Sequence, residues 1–204
     1  MPKLLTILAS PRGEYSISRA LAAEFTAAWR DKHKEGEVIE RDLFQTELPF
    51  VDLPWIAGAY TPVEDHSPAV AEAISISNEL IAELFAADYI LIATPMYNFS
   101  TPAILKAYID HIVRFNLTFS ASYEGLLKGK TCTVIIASGG VYTAGAFMES
   151  WDRETSYLKM ILGFIGISDV DFIHAGGSND VAQGKVKQQD LVASFIPSVI
   201  AAVE

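Results

Sequence analysis

The sequence predicts an α/β fold with three layers, in which a five-stranded parallel sheet of order 2-1-3-4-5 lies between two layers of helices. The first observation is that short apolar runs alternate with stretches whose apolar residues recur at helical spacing. The second is that a helix separates successive runs, as the long crossovers between parallel strands require. The third is size, because 204 residues, 50% of them hydrophobic, suffice for one domain spanning residues 1–204.

The first three elements are a strand, a helix and a strand. Residues 3–9, rich in leucine and isoleucine, form an apolar run that ends at Ser10 and predicts a buried strand. A helix is expected from Ser18, because apolar residues recur at helical spacing up to Trp29 and a charged stretch follows. Residues 37–43, EVIERDL, predict the second strand.

Residues 48–68 interrupt the alternation. They contain four prolines and show neither helical nor strand periodicity. A long ordered loop is therefore expected, of the kind that usually has a function. A helix follows from Pro68 to about residue 87, with proline in its first turn. Residues 88–94, DYILIAT, predict the third strand.

The second half of the chain continues the pattern. Thr101 is expected to cap a helix that has Pro102 at its first position. The remaining predicted elements are strands at 131–137 and 169–175 and helices at about 150–164 and from about Asp180 onward.

Composition and charge exclude several classes of function. The formal net charge is −10, and no window clusters the Lys and Arg that the nucleic-acid backbone requires, so neither DNA nor RNA is an expected partner. Cys132 is the single cysteine, which rules out an intrachain disulfide and a cysteine-based metal site. No segment approaches the roughly 18 apolar residues of a membrane span, and the first apolar run is too short for a signal peptide. The sequence predicts a cytoplasmic protein with no membrane attachment.

Three loops are expected to meet at one edge of the sheet. They follow the first, third and fourth strands and span residues 10–18, 95–102 and 137–145. In an open parallel sheet, ligands bind beyond the carboxyl ends of the strands, where the strand order reverses. With the order 2-1-3-4-5 the three loops are neighbours, so together they predict one ligand site.

The first loop, SPRGEYSIS, has the residues of a phosphate site. It supplies the hydroxyls of Ser10, Ser16 and Ser18 and the free N–H groups at a helix start, whose positive end favours a dianion. Arg12 adds a positive charge nearby. The same residues suit an ordinary turn in which Ser16 or Ser18 caps the helix. Neither GxGxxG nor GxxxxGK[ST] follows the first strand, so the phosphate of a mononucleotide is favoured over a dinucleotide or P-loop site.

The second and third loops suit a planar ligand. Tyr97, Asn98 and Phe99 lie between two prolines that fix φ, and the Asn98 amide can donate to and accept from the edge of a flavin pyrimidine ring. In the third loop, Gly139 and Gly140 let a ligand approach the backbone closely, and Ser138 adds a polar contact. Packing of the aromatic loop on the core and a tight glycine turn are the structural alternatives.

These loops belong to longer motifs that resemble a known family. SPRGEYSIS, PMYNFSTPAILKAYIDHIVRFNLTF, and GLLKGK followed by an apolar strand and SGG occur in order, with RDL at 41–43 and LGFIGI at 162–167. They resemble the FMN-dependent NADH-azoreductase family, which is similar in fold to flavodoxin and to the NAD(P)H:quinone reductases. The resemblance covers essentially the whole chain, and PMYNF with the helix after it is highly specific.

The resemblance implies which residues contact FMN. The phosphate is expected at Ser10, Ser16, the Ile17 main chain and Ser18, with Arg12 nearby. Contacts to the isoalloxazine ring are implied from Met96, Tyr97, Asn98 and Phe99, with further contacts around Gly139 and Gly140. Pro95 and Ser138, in the same two loops, are also expected to bind the cofactor. Many members of the family have Ser-Arg before the two glycines, where this chain has Ala137-Ser138, so an arginine beside the flavin is missing.

The implied activity is oxidation of NADH or NADPH with reduction of a quinone or an aromatic azo compound. The flavin carries the hydride chemistry, so no catalytic residue of the chain is required, and Tyr142 is a candidate proton donor. Both substrates are expected to use the same flavin face in turn, in a ping-pong sequence. Residues 48–68 contain no Lys or Arg that would hold a 2′-phosphate, which favours NADH.

Two other functions are open at this point. The acidic charge suits a flavodoxin-like electron carrier, although the apolar loop and the helix after PMYNF favour an enclosed substrate site. A hydrolase using Ser138 and a histidine is disfavoured, because no GxSxG elbow occurs. His111 is expected at a helix surface or an interface, and no His and carboxylate spacing predicts a metal site.

The resemblance also implies a homodimer with FMN at the interface. Trp55 and Tyr60 of residues 48–68 are expected to act as lid aromatics, together with Phe119 and Tyr123. Packing of the lid aromatics within their own subunit is the alternative. Some family members have an aromatic residue at the position of Ile161, which is therefore expected, with Tyr142, on the substrate side.

Overall fold

The structure, a computed structural model, describes residues 1–203 and contains a parallel sheet with the strand order β2-β1-β3-β4-β5. The strands are β1 (Lys3–Leu8), β2 (Glu37–Asp42), β3 (Tyr89–Pro95), β4 (Thr131–Ala137) and β5 (Asp169–Ala175). The predicted fold class and strand order are confirmed. Each apolar run also forms a strand close to its expected bounds.

Residues 1–203 contain seven α-helices, which cover both faces of the sheet. They are α1 (Ile17–Lys32), α2 (Leu53–Tyr60), α3 (Pro68–Ala86), α4 (Ala103–Ile112), α5 (Glu154–Ile165), α6 (Ser178–Ala182) and α7 (Gln188–Ala201).

Helix α2 lies inside the segment expected to be a loop, so that prediction is wrong. The Asp52 side chain caps the helix by accepting a hydrogen bond from the Trp55 N–H at 2.9 Å. The helix packs against α3 so closely that a Cβ on Gly58 would lie 2.9 Å from the Cβ of Ile74. A helix this short depends on tertiary packing for its stability, and its eight residues show no clear periodicity.

Three other helix boundaries differ from the predictions. Helix α4 begins after Pro102, which occupies the cap position without a side-chain hydrogen bond, so Thr101 is not the cap. Helix α5 begins at Glu154, because a 3-10 turn precedes it and the Asp152 side chain accepts from the Thr155 N–H at 2.9 Å. The last predicted helix is divided into α6 and α7, since Gly184 between them has a φ of +71°.

Two apolar layers hold the helices on the sheet. One face of the sheet packs against α3, α4 and α5, and the residues that pack there include Ile92, Val134 and Leu162. The other face packs against α1 and α7, with Leu91 and Trp29 fully buried. Alternation of side chains along each strand sends neighbouring residues to opposite layers. Both layers are apolar because both faces of a parallel sheet are covered.

Pairing between strands brings the three predicted loops together. The Ala9 N–H donates to the Ala93 carbonyl at 2.9 Å, which holds the end of β1 beside β3. The Met96 N–H donates to the Ala137 carbonyl at 2.8 Å, which holds the end of β3 beside β4. The loops after β1, β3 and β4 therefore leave the sheet side by side, as expected.

Two sequence expectations concern membranes and the cysteine. In the described part of the chain, no helix is both long and apolar enough to cross a membrane. Cys132 is fully buried on β4, and burial raises the pKa of its thiol, with Asp169 and Asp171 acting in the same direction. The thiol is therefore a core group with no reactive thiolate at neutral pH.

Candidate functional site

A cavity of about 260 Å³ lies at the carboxyl edge of the sheet, where the three loops meet. Because it lies where the strand order reverses, it is in the expected position for a ligand site. The lining residues are Ser10, Arg12, Ser16, Ile17, Ser18, Pro95, Met96, Tyr97, Ala137, Gly139, Ser178 and Asn179.

The first loop places three buried hydroxyls in this cavity. Ser10, Ser16 and Ser18 are each at most 3% exposed. The Ser16 hydroxyl accepts from the Arg19 N–H at 3.2 Å and lies 3.2 Å from the Ser18 hydroxyl. Ser16 is thus the cap of α1, and it lines the cavity as well. The two roles weighed for this residue, helix cap and part of a ligand site, are therefore compatible. The N–H groups of Ile17 and Ser18, in the first turn, have no partner within residues 1–203.

Arg19 holds the first loop in place. Its Nε donates to the Ser10 carbonyl at 2.7 Å, and its two Nη atoms donate to the Asp42 carboxylate at 2.8 and 2.7 Å. Although burial favours the neutral acid, the hydrogen bonds from Arg19 keep the pKa of Asp42 below its ordinary value. Since this guanidinium is already paired, the exposed Arg12 is the cation that the loop offers to a ligand.

The second loop turns sharply at its tip. Tyr97 and Ser100 exchange two backbone hydrogen bonds, at 2.9 and 3.1 Å. Asn98 and Phe99 between them have φ values of 50° and 70°, in the left-handed region that few residues other than glycine adopt. Pro95, Met96 and Tyr97 line the cavity, whereas Asn98 and Phe99 lie at the tip, outside its lining.

The third loop reaches the cavity through Gly139. A Cβ on this residue would lie 2.6 Å from the Asn179 Oδ1, so the Asn179 side chain at the start of α6 packs directly against the glycine backbone. Ser138 and Gly140 are not in the cavity lining. The Ser138 hydroxyl donates instead to the Gly140 carbonyl at 2.9 Å, which braces the turn.

Ser178 and Asn179 line the cavity but were missed in the sequence. They follow β5 in the stretch AGGSND, which resembles the other loops in having glycines and small polar residues directly after a strand. Applying the carboxyl-edge rule to the fifth strand would have found them. Ala137, at the end of β4, also lines the cavity.

The donors in the cavity fit the FMN that the resemblance implies. Three buried hydroxyls, two unpartnered N–H groups and the positive end of α1 suit a phosphate dianion, and Arg12 adds a full charge. The adjoining wall of Pro95, Met96 and Tyr97 is apolar and stiffened by the proline, which suits a flat ring. In the described residues, no cluster of His, Cys, Asp or Glu could hold a metal ion.

Trp55 packs within its own subunit, which was the alternative to a role as a lid aromatic. It is 7% exposed, and its Nε1 donates to the Nδ1 of His111 at 3.0 Å. The Arg114 guanidinium lies over its ring, 5.5 Å from the centroid. His111 is fully buried within the subunit, so its expected position at a surface or an interface is wrong. Tyr60, 73% exposed, borders a separate depression of about 620 Å³ between α2 and the end of α4.

The other predicted substrate residues lie outside the lining of the cavity. Phe119 stacks on the exposed Tyr123 and packs against Phe164, with ring centroids 6.5 and 4.8 Å away. Tyr142 lies near the tip of the second loop, with its ring 6.4 Å from that of Phe99. Ile161 packs on the core and lines an enclosed apolar void of about 10 Å³, so it faces the interior.

Comparisons with known sequences agree with this arrangement. The family described as "Flavodoxin-like fold" matches residues 2–195. The chain is 47% identical over 195 residues to FMN-dependent NADH:quinone oxidoreductase 8 of Burkholderia lata, a match that covers 96% of this chain and 93% of that protein. It is 43% identical over 204 residues to FMN-dependent NADH:quinone oxidoreductase 2 of Jannaschia sp., covering 100% of both.

Solved structures have the same fold over nearly the whole chain. An azoreductase from Bacillus anthracis superposes with a TM-score of 0.87 at 25% identity, covering 100% of this chain and 99% of that chain. An FMN-dependent NADH-azoreductase from the same species, in complex with FMN, has a TM-score of 0.86 at 23% identity, covering 98% and 97%.

Proposed function

The chain belongs to the flavodoxin-like family that matches its residues 2–195, and from that premise we propose that it is an FMN-dependent NADH:quinone oxidoreductase that also reduces aromatic azo compounds. The observation that carries the proposal is the cavity itself. Buried serine hydroxyls and free N–H groups form one end, and the apolar start of the PMYNF loop forms the adjoining wall.

The residues of the cavity divide the work of binding. Ser10, Ser16 and Ser18 hold the FMN phosphate together with the Ile17 main chain, and Arg12 balances its charge. Contacts to the ring come from Pro95, Met96, Tyr97 and Gly139 in the cavity lining. Asn98, Phe99, Ser138 and Gly140 lie in the same two loops outside the lining, and we propose that they contact the part of the ring that extends beyond the cavity. FMN, when bound, supplies the acceptor and donor of hydride, so the protein contributes binding, orientation and electrostatics.

Aromatic side chains at the rim form a surface for planar substrates. Tyr97, Phe99 and Trp151 are 40%, 43% and 45% exposed, and the rings of Phe99 and Trp151 meet edge to face at 5.7 Å. Such rings offer a large apolar surface to another aromatic group. Tyr142, beside Phe99, is a phenol at this rim and our candidate for proton supply.

We further propose that reduced nicotinamide and acceptor use this surface in turn, by a ping-pong sequence. The support is that the three loops form one cavity, so that both substrates approach the flavin from the same rim. NADH is favoured over NADPH, because residues 48–68 contain no Lys or Arg for a 2′-phosphate.

Exposed apolar residues support a homodimer. Leu53, Ile56 and Tyr60 on α2 are 77%, 44% and 73% exposed, and Tyr123 is 75% exposed. Patches of this kind mark interaction surfaces. We propose that two copies associate through this side, and that Phe119, Tyr123 and Tyr60 are then placed to cover the flavin. A cytoplasmic location is part of the proposal, supported by the buried thiol of the single cysteine.

The test begins with the purified protein. We expect a yellow protein that releases FMN on denaturation and, when loaded with FMN, oxidises NADH rapidly with a quinone acceptor. Turnover no faster than that of free FMN would contradict the enzyme and favour an electron carrier. Failure to bind FMN would refute the proposed function altogether.

A further inference from the structure

A buried carboxyl group lies directly behind the PMYNF loop. Glu154, the first residue of α5, has no solvent exposure. Its Oε1 lies 3.0 Å from the hydroxyl of Thr94, and its Oε2 has no hydrogen-bond partner among residues 1–203. A carboxylate with one unpaired oxygen in an apolar setting is costly, so the group stays neutral.

The surroundings of Glu154 favour the protonated form. Burial raises its pKa to about 9, the hydrogen bond from Thr94 opposes this rise, and the negative charge of Asp152 adds to it. On β4, the register partner of Thr94 is the apolar Ile136. The guanidinium of Arg153 is directed elsewhere, to the carbonyls of Ser150 and Asp152.

Thr94 connects this carboxyl group to the cavity. Its Oγ1 lies 3.0 Å from the Glu154 Oε1 and 3.2 Å from the carbonyl oxygen of Pro95. A hydroxyl has one hydrogen, so it donates to one of these two oxygens at a time. If Glu154 is protonated, it donates to Thr94, and Thr94 is free to donate to Pro95. If Glu154 is ionised, Thr94 turns to the carboxylate and the Pro95 carbonyl loses this donor.

The start of α5 also holds the other end of the same loop. The Arg153 N–H donates to the Phe99 carbonyl at 3.0 Å. Glu154 and Arg153 therefore hold the segment 94–99 at its two ends. This segment includes Pro95, Met96 and Tyr97 of the cavity wall.

We propose that Glu154, as a neutral acid, is a positioning residue that holds the Pro95 end of the PMYNF loop in its FMN-binding conformation through the hydroxyl of Thr94. The inference rests on the proposed function, because it assumes that this wall of the cavity contacts FMN. Ionisation of Glu154 releases the relay, loosens residues 94–99 and weakens FMN binding.

The first experiment measures the FMN dissociation constant of the full-length protein between pH 6 and pH 10. As the pH rises through 9, we expect the FMN affinity of the wild type to fall about fivefold more than that of Glu154→Gln. A factor of this size corresponds to the loss of one neutral hydrogen bond. Ionisation of the flavin itself is common to both proteins and cancels in the comparison. Glu24→Gln, the same change on the exposed side of α1, is the matched control and keeps the wild-type profile. A wild-type profile that parallels that of Glu154→Gln overturns the proposal.

The second experiment needs no flavin, so it separates this proposal from the proposed function. Amide hydrogen exchange of residues 94–99 in the wild type is compared with that in Glu154→Gln at pH 7 and above pH 9. We expect similar exchange at pH 7 and faster exchange in the wild type above pH 9. Equal exchange at both pH values overturns the proposal even if FMN binds. If FMN does not bind, the exchange result still decides the role of Glu154.

Thr94 variants test the relay itself. Thr94→Ser keeps the hydroxyl, so its residues 94–99 are expected to show the same pH-dependent exchange as the wild type. Thr94→Val removes the hydroxyl and is expected to abolish the faster exchange above pH 9 that depends on Glu154. A difference that survives in Thr94→Val means that the charge of Glu154 acts without the relay, which overturns the proposed route.

Discussion

The proton on Glu154 makes the stability of the protein depend on pH in a defined way. The pKa of this carboxyl is raised from its ordinary value of 4.5 to about 9 by burial, against the Thr94 hydrogen bond and with the charge of Asp152. Between these two values the folded chain holds a proton that the unfolded chain releases. The stability associated with this group is therefore fully present below about pH 4.5 and is lost as the pH rises toward 9.

The size of the effect follows from the shift. One pKa unit corresponds to about 1.4 kcal/mol, so between those pH values Glu154 lowers the free energy of unfolding by about 1.4 kcal/mol per pH unit. At pH 7 the accumulated loss is about 3 kcal/mol. Glu154→Gln has no proton to lose, so its stability relative to the wild type increases with pH. A constant offset from the new amide group leaves this slope unchanged.

The assay is urea denaturation of the FMN-free wild type, Glu154→Gln and Glu24→Gln at pH 5.5, 7 and 8.5. Flavin is left out because ligand binding adds its own stabilisation. We expect the difference in stability between Glu154→Gln and the wild type to widen at each step, while Glu24→Gln follows the wild type. Parallel curves for all three proteins would mean that Glu154 is ionised in the folded state, which would refute the reasoning.

Three further predictions concern the site and its surroundings. Replacing Ser16 and Ser18 together by alanine is expected to weaken FMN binding by roughly 1–3 kcal/mol in a fluorescence titration, and unchanged affinity would mean that these serines only cap α1. Asp42→Asn is expected to destabilise the protein at pH 7 and to cost less at an acidic pH well below 3.8. Against the effect of burial, Arg19 keeps the Asp42 pKa below its ordinary value, and this stabilisation is lost as the pH falls. Denaturation at both pH values checks it, and an equal loss at both would contradict it. Trp55→Phe is expected to lower the free energy of unfolding by about 1–2 kcal/mol through loss of a buried hydrogen bond, with FMN affinity unchanged. Weaker FMN binding in that variant would support a role for Trp55 as a lid residue.

The environments of Trp55 and His111 were not predictable from the sequence, for one shared reason. Trp55 was expected over the flavin because it lies in a proline-rich segment, yet it packs against His111, 56 positions away in the chain. The same contact buries His111, which was expected at a surface or an interface. Neither burial nor hydrogen-bond partners can be derived from local composition when the partners come from distant segments.

The roles of residues at a helix start and at a strand end were easier to predict, because local backbone geometry determines them. Ser16 caps α1 because a hydroxyl at the start of a helix satisfies a free N–H, and its neighbours Ile17 and Ser18 leave theirs open toward the cavity. The residues of the PMYNF loop were found because they follow a buried strand and are flanked by prolines. The turn at Asn98 and Phe99, with positive φ at both, was not visible in the sequence.

The sequence by itself determined the alternation of strands and helices, the strand order and the meeting of three loops at one sheet edge. These depend on hydrophobic periodicity and on the rules of parallel crossovers, which act over short stretches of chain. Only the tertiary structure decided that Trp55 is enclosed and that Glu154 keeps its proton behind the PMYNF loop. Burial and electrostatic environment arise from packing between elements far apart in sequence. From the sequence alone Glu154 is indistinguishable from an ordinary surface acid, and only the packing of α5 against β3 buries it.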